Sequence, residues 1–227
     1  MSRSVRTLSS VLLFVGLVGA LAACGNPQYT YVKNSSEKTY FKIPAGWHKI
    51  ETKPIDSMVT GDTPDSEKSR LRGAWSVAYD SADHPSVTHM VGPIADQPVV
   101  YASVYRLSPE ERGAYSLDAL RDSFLAVTAQ ARERTAQAYA AQGLPNPLSD
   151  FELLRDEELT PGDGLRGVRT RYNYNATPGG MLTIDLTAYL SDDGRVHLMI
   201  VRCSARCFRE RASELESIAS SFTVRKK

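Results

Sequence analysis

The chain has 227 residues, 42% of them hydrophobic and 23% charged, with a formal net charge of +1. That length suits one ordinary domain, or at most two small ones. A charge balance so near zero excludes the strong basic field expected of a nucleic-acid binder, so no nucleic-acid partner is expected.

The N-terminus carries the most specific signal. Arg3 and Arg6 precede an apolar run over residues 11–23, too short for an ordinary membrane span. The run ends Leu21-Ala22-Ala23-Cys24-Gly25, which resembles a bacterial lipobox. The resemblance implies diacylglyceryl transfer to the Cys24 sulfur and removal of residues 1–23 as a signal peptide. The bland alternative is an ordinary secretory peptide with an incidental cysteine. A multi-chain lipid meets the requirement for stable anchoring, so membrane lipid at Cys24 would hold the protein on the outer face of the plasma membrane. No Arg-Arg pair is present, which favours general secretion over twin-arginine export. Residues 24–37 then read as a lipidated polar tether, about 40 Å long when stretched. Tyr29 and Tyr31 on it either sit at headgroup level or pack on the domain.

Residues 39–43 alternate as a strand, Pro44-Ala45-Gly46 turns, and 47–51 read as a return strand. Residues 52–72 are polar loop with at most a short helix. A strand is expected over 74–79, a second long loop over 80–97, and a strand over 99–107. Ser108-Pro109-Glu110-Glu111 starts a helical turn. Ser116 then suits an N-cap with Asp118 in the first turn. Leu117, Leu120, Phe124, Val127, Ala131 and Ala138 share one face, predicting a single long helix to about Gln142, where Gly143 and Pro145 end it. Strands follow over 151–159 and 168–175, joined through Pro161-Gly162-Asp163-Gly164.

The core is expected over 181–222. Leu182, Ile184, Leu186, Ala188 and Leu190 alternate with polar residues, and Val196, Leu198 and Ile200 repeat the pattern after Ser191-Asp192-Asp193-Gly194-Arg195. A three-residue hairpin loop pairs Leu190 with Val196 and Leu186 with Ile200, so the apolar faces coincide. Phe208, Ala212, Leu215, Ile218 and Phe222 then step as one helical stripe. Cys203 and Cys207 flank the strand-to-helix corner. Outside the cytoplasm they are most simply a disulfide.

Ile43-Pro44-Ala45-Gly46-Trp47, the long helix, the strand meander and the ending Ile218-Ala219-Ser220-Ser221-Phe222 together resemble the PsbP-like α/β/α superfamily. Within it, the pattern looks notably like actinobacterial lipoproteins of the LpqN type. The resemblance implies an α+β fold: a central antiparallel sheet with the long helix and the C-terminal helix packed on it, as one domain over 38–225. It implies no activity, since members are mostly non-enzymatic envelope or assembly accessories.

No Gly-x-Ser-x-Gly elbow, His-Glu-x-x-His helix or phosphate-cradling glycine loop occurs, so neither an enzyme nor a cofactor is expected. A five-residue loop over 176–180 pairs Asn175 with Met181. One sheet face then gathers Arg169, Arg171, Asn173, Asp185, Thr187, Tyr189 and His197. Arginines beside aromatic groups suit an anionic or carbohydrate-like ligand. The alternative is a solvated face, or one partly covered by N-terminal loops, with cross-strand ion pairing. His84, His89, Asp80 and Asp83 are loop candidates for a metal, but lack ligand spacing. The expectation is a non-enzymatic lipoprotein that binds an envelope amphiphile or protein. A structural accessory with protein partners, or a cell-envelope hydrolase, are the alternatives.

Overall fold

A computed structural model describes residues 28–61, 72–93, 95–176 and 180–225. Alternating residues build a large antiparallel sheet from β3 (His48–Ile50), β4 (Gly73–Asp80), β5 (Val99–Arg106), β6 (Ser149–Gly162), β7 (Leu165–Asn175), β8 (Met181–Ser191) and β9 (Arg195–Ser204). Their order is β3-β4-β5-β9-β8-β7-β6. A small sheet of order β1-β2-β10 joins β1 (Tyr29–Asn34), β2 (Thr39–Pro44) and β10 (Thr223–Val224).

Strands β5, β8 and β9 are buried on both faces because both faces are covered. On one, Tyr101, Ile184, Leu186 and Leu198 pack with Ile55 of α1 (Lys53–Thr60), Met90 of α2 (Thr88–Val91), Leu120 of α4 (Leu117–Arg121), Phe124 and Val127. On the other, Val100, Met199 and Val201 meet Phe41 and Ile43 of β2, Phe208 of α6 (Ala205–Glu210), and Leu215 and Ile218 of α7 (Ala212–Ala219). A short α3 (Pro109–Arg112) starts with a capping box between Ser108 and Glu111. The remaining helix is α5 (Ala129–Ala140).

The central register is the expected one. Leu190 faces Val196, Ala188 faces Leu198 and Leu186 faces Ile200. Gly194, at φ 80°, takes the left-handed place in the loop, where its N–H donates to the Ser191 carbonyl at 2.9 Å. The expected α+β fold, with helices on an antiparallel sheet, also stands.

Four expectations are corrected. The tether expected over 24–37 does not include Tyr29–Asn34, which pairs along β2 and buries Val32. Cys24 and residues 1–23 lie outside the described residues. The strand after Pro44-Ala45-Gly46 does not return on β2. It pairs with β4, His48 to Asp80 and Ile50 to Ala78, so the turn carries the chain between sheets.

The long helix is two helices. The Asp122 carboxylate accepts from the N–H groups of Val127 and Thr128, at 2.7 and 2.9 Å, and from the Thr128 hydroxyl at 2.8 Å. Thr128 in turn caps α5 by accepting from the Ala131 N–H at 3.2 Å. These local bonds replace a helical turn. The closing helix likewise divides at Arg211, where φ is −110°.

Candidate functional site

The strand register brings the polar set together as expected. Arg171 faces Asp185, Arg169 faces Thr187, and Tyr189 faces His197. The face is not open, however. Both α7 and the small sheet pack against it, and Glu216 of α7 enters the cluster. Arg169 donates from Nη1 and Nη2 to the two Glu216 oxygens at 2.8 and 3.0 Å. It also donates to both Asp185 oxygens, from Nε and Nη2, at 2.9 Å each. Arg171 donates from Nε to Asp185 at 2.8 Å, and its Nη2 also reaches Asp185 and Glu216.

Burial alone would lower the Arg169 pKa, but Asp185 and Glu216 raise it above the ordinary arginine value. Partial burial pushes the Glu216 carboxyl up, and its bonds to Arg169 and Arg171 outweigh this and hold it at about 2. Glu216 therefore occupies the position that an anionic ligand would take. The ligand site read at Arg169, Arg171, Asp185, Tyr189 and His197 is corrected to an internal ion-pair network with two flanking rings.

Tyr189 stacks on Phe222 with ring centroids 6.0 Å apart. His197 is buried, its Nδ1 3.0 Å from the Thr39 hydroxyl. Burial first, then the charges of Arg195 and Lys38, push its pKa down to about 4. The sequence held one signal for Glu216: two inward arginines faced a single inward aspartate, so a second acid was due. Cys203 and Cys207 are bonded, with Cα atoms 6.0 Å apart.

The opposite side of the sheet holds a cleft of about 1000 Å³. Met58 of α1, Met90 and Val91 of α2, Phe124 and Leu125 of the interhelical segment, and Leu144, Pro145, Pro147 and Leu148 after α5 form its apolar walls. Tyr174 of β7 and Arg202 of β9 lie at its inner end. Its size is at the top of the range, about 300–1,000 Å³, that small-molecule sites occupy. No sequence pattern announced it, because its walls come from segments far apart in the chain.

No family model matches the chain, and no curated protein matches it. Solved structures do. The solution structure of CyanoP, the cyanobacterial PsbP of Synechocystis sp. PCC 6803, superposes with a TM-score of 0.50 at 12% identity, covering 92% of this chain and 100% of that one. The fold is PsbP-like. A crystal structure of PA94 from Pseudomonas aeruginosa, a protein of unknown function, reaches a TM-score of 0.38 at 11% identity, over 88% of this chain and 100% of that one. That second likeness carries no argument, and the first speaks to the fold alone.

In this PsbP-like fold the loop between β4 and β5 carries the remaining polar cluster. His89 Nδ1 lies 2.7 Å from Asp80, which also accepts from the Ala82 and Ser86 N–H groups at 2.9 and 2.8 Å. Asp83 and His84 do not join them. Among the described residues no group of three or more metal-ligating side chains is assembled. The Ser86 hydroxyl is bonded to the Thr88 hydroxyl at 2.8 Å rather than to the imidazole.

Proposed function

We propose that this chain is an extracytoplasmic lipoprotein, anchored through a diacylglyceryl group on Cys24, that holds an envelope small molecule without transforming it. The apolar cleft between the large sheet and α1, α2 and α5 carries this reading. It replaces the polar face as the place where a ligand binds. The LpqN-type kinship suggested by the Ile43-Pro44-Ala45-Gly46-Trp47 turn belongs to the same proposal.

The anchor has support beyond the lipobox. Tyr29, where β1 begins, comes five positions after Cys24, so the connection spans at most about 18 Å. The domain would therefore lie against the bilayer. The outward side of β1 and β2 presents Tyr29, Tyr31, Lys33, Tyr40 and Lys42, and neither strand contains an acidic residue. Lys42 Nζ sits 4.3 Å from the Tyr29 ring centroid, and Arg225 sits 4.9 Å from that of Tyr40. Tyrosines with cations suit an anionic headgroup layer.

One observation favours the rival reading of an accessory with protein partners. Strand β6 is a long sheet edge, with Leu153 and Leu154 47% and 48% exposed, and edges of this kind accept added strands. The deciding experiment is mass spectrometry of small molecules that co-purify with the full chain carrying Cys24→Ala. A stoichiometric passenger supports the carrier. An empty protein shifts the reading to protein partners, which crosslinking in intact cells would then identify.

A further inference from the structure

We infer that the cleft is built for a single-chain amphiphile with one negative charge, a long-chain carboxylate whose head meets Arg202 and whose tail lies along Met90, Phe124, Leu125 and Leu148. This deepens the carrier reading and rests on it.

Arg202 lies at the inner end of the cleft. It is 2% exposed, and it is the one charged side chain among the described residues that line the cleft. Its register neighbours are apolar, Val99 on β5 and Ile184 on β8. Its guanidinium donates to the carbonyl oxygens of His89 and Gly92, and Nη2 lies 3.5 Å from the Tyr174 hydroxyl. Its Nε is buried, and among the described residues nothing accepts from it. No carboxylate of the described residues pairs with Arg202. The aspartate one strand beyond Val99 is Asp80, whose oxygens are taken by His89, Ala82 and Ser86.

A buried cation with only neutral partners is costly. The same protein treats its other buried arginine differently, since Arg169 has both Asp185 and Glu216. The negative charge missing at Arg202 is therefore left for a ligand. A carboxylate accepts two N–H bonds from a guanidinium in a charge-assisted pair, and the Tyr174 hydroxyl beside it can donate a third. One arginine matches a monoanion. The walls at Met90, Phe124, Leu125 and Leu148 are apolar and ask for hydrocarbon.

The test is calorimetric titration of the full chain carrying Cys24→Ala with palmitate, methyl palmitate and laurate. Palmitate should bind at least tenfold more tightly than its methyl ester. Shortening the chain to laurate should weaken binding roughly fourfold per methylene removed from the apolar walls. Arg202→Gln should abolish the preference for acid over ester and retain the ester's affinity. Arg202 also ties down the backbone at His89 and Gly92, and a misfolded variant gives no reading. The acid-against-ester comparison in the chain with Arg202 intact then decides alone. Equal affinity for palmitate and its ester overturns the assignment of Arg202 and leaves the carrier reading standing. Failure of all three probes overturns the inference. If mass spectrometry also finds the protein empty, the carrier reading falls with it.

Discussion

Asp185 receives two parallel bonds from Arg169, each 2.9 Å long, although the residue directly across the ladder from it is Arg171. One buried carboxylate thus serves a facing and a diagonal arginine, and Glu216 of α7 completes the set from above the sheet. The network ties the closing helix to the central strands through charge as well as apolar contact. Removing one partner of a buried pair leaves an uncompensated charge, at a typical cost of about 3–5 kcal/mol. Asp185→Ala should lower the unfolding free energy by that amount, read as a shift of the urea midpoint at unchanged slope. An unmoved midpoint would show that the network contributes nothing to stability.

Acid should unfold the protein in two separable stages. The His197 pKa is depressed in the fold, to about 4 from 6.5, so the unfolded chain binds that proton first. Stability is lost as the pH falls from about 6.5 to about 4, by roughly 3 kcal/mol at most. The Glu216 pKa is also depressed, to about 2 from 4.5, so its contribution is present above about 4.5 and lost between there and about 2. His197→Gln should flatten the upper stage of a melting-temperature profile and leave the lower one. A profile unchanged between pH 6.5 and 4 would show that His197 protonates in the fold without penalty.

The strand register was legible because two short loops and a strict alternation leave one pairing that keeps the apolar faces together. Arg171 opposite Asp185, and Tyr189 opposite His197, follow from that alone. Cover by N-terminal residues with cross-strand ion pairing was legible as the alternative, and the part played by the closing helix was not. Arg169, Arg171, Asp185 and His197 alternate as a solvated face would, and Glu216 arrives from a helix far along the chain. Strand β1 escaped notice because only Val32 in it is buried. Arg202, between Val201 and Cys203, reads as a strand fraying into solvent. Its burial depends on α2 and the end of β7, which no local pattern announces.

The bond between Cys203 and Cys207 closes a very short loop, so its stabilisation should be modest. Chain-entropy arguments put it at about 2 kcal/mol. Helix α6 does not depend on it, because the Ser204 side chain caps the helix by accepting from the Cys207 N–H at 3.2 Å. The double variant Cys203→Ala with Cys207→Ala should therefore keep its far-ultraviolet circular dichroism and lose only a few degrees of melting temperature. Both sulfurs are buried, so a thiol reductant should act slowly on the folded protein. Loss of the fold on reduction would assign the bridge a larger role than its loop length allows.

The break between α4 and α5 decides the shape of the cleft. Leu117, Leu120, Phe124, Val127 and Ala131 carry helical periodicity straight through it, so local pattern favours one continuous helix. Asp122 overrides that pattern by accepting three bonds from Val127 and Thr128. The segment it shapes holds Phe124 and Leu125, two walls of the cleft. Asp122→Ala leaves two backbone N–H groups without their acceptor, at a cost of roughly 1–3 kcal/mol, and permits the helix to run on. Helical content should rise in circular dichroism while affinity for palmitate falls about tenfold. Asp122→Asn, which keeps an acceptor oxygen, should restore much of both. If Asp122→Ala lowers stability but leaves affinity unchanged, then packing of Leu120, Phe124 and Val127 against the sheet holds the cleft wall without help from the aspartate.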